Sequence, residues 1–305
     1  MDAFLTILGQ VSLLFAFSAV GFFLARLRVI RADQVTILSR LLVHFFLPCN
    51  VFKTFATQFR VSYLGEKYEL LLVAFIAIAA IAPISFFASR LFSREPYERA
   101  VFEYSLAIPN AGYMGYPLAE ALLGAAGLMD VMVFAIPISL FINSYGYARL
   151  TKSSLTPRKM LNTVTVAMLL GMIVGLSGLT IPALPLSFLG SASACMGPVS
   201  MLIAGISISE FGLRPLVSEP RAYTLAAFRL LGAPLAVGGL AALVCRADTA
   251  AIAALYFAMP CGLNTIVFPK AVGEPCQMGA ALVFVSTVLS LLTIPLVLFL
   301  FGMGG

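Results

Sequence analysis

Between Met160 and Ser209 the chain runs for fifty residues without a single charged side chain. One membrane helix needs only about 20 residues, so the run is too long to be one span. The turn residues of GLTIPALP, Gly178 to Pro185, divide it in two, because glycine and proline clustered between periodic segments end helices. Two spans joined at one membrane face fix the class of the molecule as an all-α polytopic membrane protein. Composition agrees, with 61% of the 305 residues hydrophobic, 10% charged and a mean hydropathy of +1.03. At about 20 residues per helix that allows some nine or ten spans and no sizeable soluble domain.

Apolar runs broken by charges or by Gly and Pro predict ten spans, at 3–25, 35–57, 69–89, 99–123, 130–148, 159–178, 188–209, 222–245, 250–272 and 276–301. Asp2 stands where a cleaved leader would carry its basic region, so the first span reads as retained. Counted by alternate loops, thirteen Lys and Arg fall on one face, among them Arg26, Arg28, Arg31, Arg149, Lys152, Arg158 and Lys270. Only Arg60, Lys67 and Arg246 fall on the other. The positive-inside rule makes the first face cytoplasmic, so a multi-pass protein of the plasma (inner) membrane with both termini external is expected. The net charge of +6 thus serves orientation, and nucleic-acid binding is excluded. Five cysteines without CxxC spacing indicate neither a disulfide framework nor a zinc site. No cofactor is expected.

Helix-breaking residues recur at a nearly fixed interval. Gly21 and Gly171, and Pro48 and Pro198, are 150 apart; Pro83 and Pro234, and Pro109 and Pro260, are 151 apart. Pro137 and Pro295, 158 apart, fit only with an insertion. Residues 1–150 and 158–305 then form two five-span repeats joined by a short cytoplasmic linker at 149–158. An odd number of spans inserts the second repeat upside down, an arrangement typical of secondary transporters.

The fourth span of each repeat is the least regular, SLAIPNAGYMGYPLAEALLG and LYFAMPCGLNTIVFPKAVG. Pro109 with Pro117, and Pro260 with Pro269, should break these helices near mid-membrane. Irregular backbone at that depth must be buried in protein or line a wet cavity. The half-helices that follow would present free N–H groups and positive dipole ends suited to an anion. Asn110, Ala111 and Gly112 at the first break, and Gly262 and Asn264 at the second, are the candidate substrate ligands. Both amides could instead cap the half-helix ends. Asn50, after Pro48, faces the same choice between lining the site and capping a kink.

Few ionisable residues lie within the spans. Glu103 and Glu120 bracket the first break and are candidates for proton coupling, with snorkelling toward an interface as the alternative. Arg229 reads either as a counter-charge for an anion or as the partner of Glu103. Lys53 is near enough to an interface to snorkel. His44 fits a bonded helix-packing histidine better than a proton relay. With one histidine and no HExxH, GxSxG or P-loop motif, enzymatic catalysis lacks a set of parts.

The stretches IPNAGYMGYPLAEALLG, GPVSMLIAGISIS, FRLLGAP, MPCGLNTIVFPKAVG and STVLSLLTIPLVL resemble the auxin efflux carrier family. The likeness is to its bacterial malate- and malonate-permease-like members, within the bile, arsenite and riboflavin transporter superfamily. That resemblance implies ten helices in two inverted repeats, a scaffold and a transport domain, and crossed fourth and ninth helices. Family members carry organic anions: auxin in plants, small carboxylates in bacterial relatives. The long central loop of the plant proteins is replaced here by about ten residues, Arg149 to Arg158. The expected function is therefore elevator-like transport of small organic carboxylates. A sodium-coupled symporter of bile-acid-like anions and a membrane ligand sensor remain as alternatives. The expected partners are the substrate anion and the bilayer, with a homodimer left open.

Overall fold

The computed structural model describes residues 2–31, 34–154 and 162–303, and every regular element among them is helical. The helices are α1 (Asp2–Arg26), α2 (Val35–Gln58), α3 (Val61–Phe92), α4 (Pro96–Ala107), α5 (Ala111–Thr151), α6 (Thr163–Ser177), α7 (Ala183–Ser209), α8 (Pro220–Val244), α9 (Ala247–Ala258), α10 (Asn264–Ala271) and α11 (Gln277–Leu300). Among the described residues, seven stretches are long and apolar enough to cross a membrane; α6 and α9 are shorter apolar helices.

The spans expected at 99–123 and 130–148 part at Gly124, and residues 125–129 already belong to the second helix. Within α5, residues 111–123 and 125–151 are two helices joined without a loop at Gly124, whose φ of +68° and ψ of −167° break the helical path and suit no side-chain-bearing residue. Flanking alanines and leucines, the strongest helix formers, return the chain to helix at once. Of the expected 149–158 linker, Lys152 caps α5 in the left-handed region, and residues 155–158 lie outside the described residues.

Left-handed backbone recurs at the interval of the proline pattern. Arg28 and Gly178, and Lys152 and Gly302, are 150 apart, and Gly124 and Gly273 are 149 apart. Three single π-turns end two residues before a proline: Leu42–Phe46 before Pro48, Ala111–Gly115 before Pro117, and Phe228–Gly232 before Pro234. A proline ring crowds the carbonyl four residues back and offers it no N–H. Widening the preceding turn relieves that clash, and such π-bulges gather at functional sites.

Two helix pairs pack backbone to backbone. Helix α1 lies on α7, with Gly21 against the Leu202 carbonyl and Gly205 against the Ser18 carbonyl. Helix α6 lies on α2, where a Cβ at Gly171 would come 2.8 Å from Phe55 Cβ and one at Gly175 2.6 Å from the Phe55 carbonyl. Lipid is as apolar as the helices, so close approach through small residues supplies the attraction. Beside these pairs, α3 packs on α4 and α5, and α8 on α9 and α11. At one end Lys67 joins Asp130 (2.9 Å) and Asp248 (2.7 Å), tying α3, α5 and α9. At the other, basic end Arg221 meets Glu98 (2.7 Å) and Lys152 meets Glu274 (2.8 Å).

Candidate functional site

Helix α4 stops at Ala107 because Ile108 precedes a proline and is extended, with φ −112° and ψ +117°. Helix α9 stops for the same reason at Ala258, with Met259 extended before Pro260. The two extended stretches cross antiparallel and bond to each other. Asn110 N–H donates to the Pro260 carbonyl (2.8 Å), and Gly262 N–H donates to the Ile108 carbonyl (3.3 Å). Ser286 Oγ accepts the N–H of Cys261 at 3.0 Å. The breaks thereby satisfy part of each other's backbone, as burial in an apolar medium requires.

Past the crossing, α5 and α10 begin. The N–H groups of Ala111, Gly112 and Tyr113, and of Leu263 and Asn264, find no acceptor among the described residues. Both helix starts border one cavity of about 490 Å³, which reaches toward the basic end past Asn143, Tyr147, Asn162 and Thr163. Among the described residues, its walls hold no Lys, Arg, Asp or Glu. An anion entering it meets backbone donors, positive dipole ends, amides and hydroxyls.

Of the sequence candidates, Asn110, Ala111, Gly112, Gly262 and Asn264 line this cavity together, and so does Pro109. A Cβ at Gly112 would meet nothing within 4 Å, whereas one at Gly262 would lie 3.3 Å from the Tyr104 ring and 3.4 Å from the Ile108 carbonyl. Neither amide caps its helix. Asn110 is buried with Oδ1 unpartnered, and Asn264 Nδ2 donates to the Tyr104 hydroxyl at 2.9 Å. His44 also lines the cavity, held at 2.9 Å from Thr163 Oγ1.

Other candidates are placed elsewhere. Asn50 is buried away from the cavity lining and donates to Glu120 at 3.2 Å, so it neither lines the site nor caps a kink. Lys53 pairs with Glu120 at 3.1 Å. Pro117 sits on α7, where it would meet a Cβ at Gly197, and Pro269 lies inside α10. Glu103 is buried and receives Arg149 through Nη2 (2.8 Å) and Nε (3.2 Å) and the Tyr145 hydroxyl (2.6 Å). Of the two readings of Arg229, partnership with Glu103 is ruled out: Arg149, one turn beyond the π-turn Ile142–Gly146, holds the acid instead. Tyr104, Tyr113, Asn143 and Asn162 belong to the site region without having been singled out from sequence.

A family model described as "Membrane transport protein" matches the chain twice, over residues 6–156 and 148–298. A protein described as "Uncharacterized transporter" from Methanothermobacter thermautotrophicus is 23% identical over 282 residues, spanning 90% of this chain and 92% of that protein. The two matches tile nearly all of the sequence, one on each repeat, so the chain belongs to the membrane transport protein family, the auxin efflux carrier family that its broken spans resemble, and is a membrane transporter.

Proposed function

We propose that the protein carries small organic carboxylates across the plasma (inner) membrane, with the crossed helices moving as a body past α1, α2, α6 and α7. The principal support is the cavity: among the described residues its walls hold no charged side chain, yet two half-helix starts with spare N–H groups and two amides converge at its end. Such a surface suits one or two carboxylate groups and repels cations.

Two ion pairs bear on the movement. Glu120 of α5 joins Lys53 of α2, and Lys270 of α10 joins Glu210 just past α7. Glu120 and Lys270 are 150 apart, the repeat interval, with charges reversed. A body sliding along the membrane normal must break such latches in the course of its stroke. Purified protein should gain thermal stability from at least one member of a panel of mono- and dicarboxylates; a ligand at a hundred times its Kd adds about 2.7 kcal/mol. The same compound should enter proteoliposomes. If no carboxylate binds, or if neutral amides bind equally well, the substrate class is wrong.

In this reading both termini and the Gly178–Pro185 turn are external. With Cys49, Cys195, Cys245, Cys261 and Cys276 replaced, an impermeant thiol reagent added outside should reach Leu179→Cys and spare Ser154→Cys. The opposite pattern inverts the topology.

A further inference from the structure

Behind the crossing, apart from the cavity lining, lies Arg229, 1% exposed and the largest fully buried side chain among the described residues. It belongs to the π-turn Phe228–Gly232 of α8. Its Nη1 donates to the carbonyl of Leu106 at 3.3 Å, and its guanidinium carbon lies 5.4 Å from the centre of the Phe257 ring. Among the described residues, Nε and Nη2 have no partner and no carboxylate bonds to the group.

Leu106 is in the last turn of α4, and Phe257 is in the last turn of α9. Each half-helix ends there in free carbonyls and the negative end of a helix dipole. Two such ends facing one spot favour a cation, and in broken-helix transporters unwound carbonyls and half-helix C-termini commonly coordinate the coupled ion. A bare buried charge at this depth is otherwise expensive. Among the described residues, no cluster of His, Cys, Asp or Glu could hold a metal ion.

We propose that the Arg229 guanidinium is a tethered cation occupying the place of a co-transported metal ion, so that the crossing keeps its positive charge throughout the cycle without sodium. The charge also lies behind the anion-facing helix starts, where it adds to the potential felt in a cavity whose walls, among the described residues, carry no charge. Only this last role rests on the carboxylate reading.

The test uses ligand-free protein in detergent. Wild type should melt at the same temperature in sodium, potassium and choline chloride of equal ionic strength. Arg229→Ala should melt roughly 5 °C or more lower, and methylguanidinium should recover part of that loss, which tetramethylammonium should not. Arg229→Lys should fall between wild type and Arg229→Met. A sodium-specific rise in the wild-type melting temperature overturns the proposal without any variant having to fold, as does Arg229→Met matching wild type. Guanidinium rescue in a protein that binds no carboxylate upholds the tethered cation and sinks only the substrate class.

Discussion

Gly205→Ala is expected to destabilise the protein by more than about 3 kcal/mol, at or beyond the upper end of ordinary overpacking, and to be recovered largely as aggregate. A Cβ there would overlap the Ser18 carbonyl oxygen and lie 2.8 Å from the Phe22 nitrogen, both main-chain atoms of α1 that no rotamer change can move aside. Helices α1 and α7 would have to separate along their length and forfeit the dispersion contacts that hold them in lipid. Gly171→Ala should act in the same direction on α2 and α6, more weakly, because its nearest obstacle is the Phe55 Cβ at 2.8 Å. Gly9→Ala on α1 is the control: its Cβ meets nothing within 4 Å. Melting temperatures of the three variants in detergent, read by fluorescence-detected gel filtration, decide the matter. If Gly205→Ala melts like Gly9→Ala, the backbone contact between α1 and α7 is not what holds them together.

What was legible in the sequence and what was not divide along one physical line. Proline and glycine act on their own backbone whatever surrounds them, so the breaks at Pro109 and Pro260 and the interval near 150 could be read directly. Which face of a helix meets which neighbour could not be read, because spans that are apolar all round carry no stripe to mark an inner side. Hence depth alone leaves Arg229 open as a partner of Glu103 or a counter-charge, when the break at Gly124 turns the chain back so that Arg149 and Tyr145 reach the acid. Its proline likewise leaves Asn50 open between the crossing and a cap, while its side chain faces Glu120. The π-turns had a partial signal: three lie just before prolines already marked as kinks. The partners Tyr104, Asn143 and Asn162 had none, since a lone tyrosine or asparagine in an apolar run does not announce its direction.

Asn110→Ala should all but abolish binding of the carboxylate that stabilises the wild type, while leaving the empty protein as stable as before. Loss of a hydrogen bond to a charged ligand costs about 1.5–3 kcal/mol, or roughly ten- to over a hundred-fold in Kd. Stability should hold because the side chain contributes little to the empty fold: Asn110 Oδ1 is buried without a partner, and the bond from residue 110 to Pro260 is made by the main-chain N–H. Removing an unsatisfied buried acceptor is neutral or favourable. Asn264→Ala should weaken binding by a similar factor but also lower the melting temperature, because it strips the buried Tyr104 hydroxyl of its 2.9 Å donor. Adding Tyr104→Phe to Asn264→Ala should recover stability without recovering binding, which separates the amide's contact with ligand from its support of the fold. Isothermal titration against each purified variant supplies the affinities. Wild-type affinity in Asn110→Ala would mean that the Asn110 amide N–H groups make no ligand contact, and the backbone donors of Ala111 and Gly112 would then have to hold the anion alone.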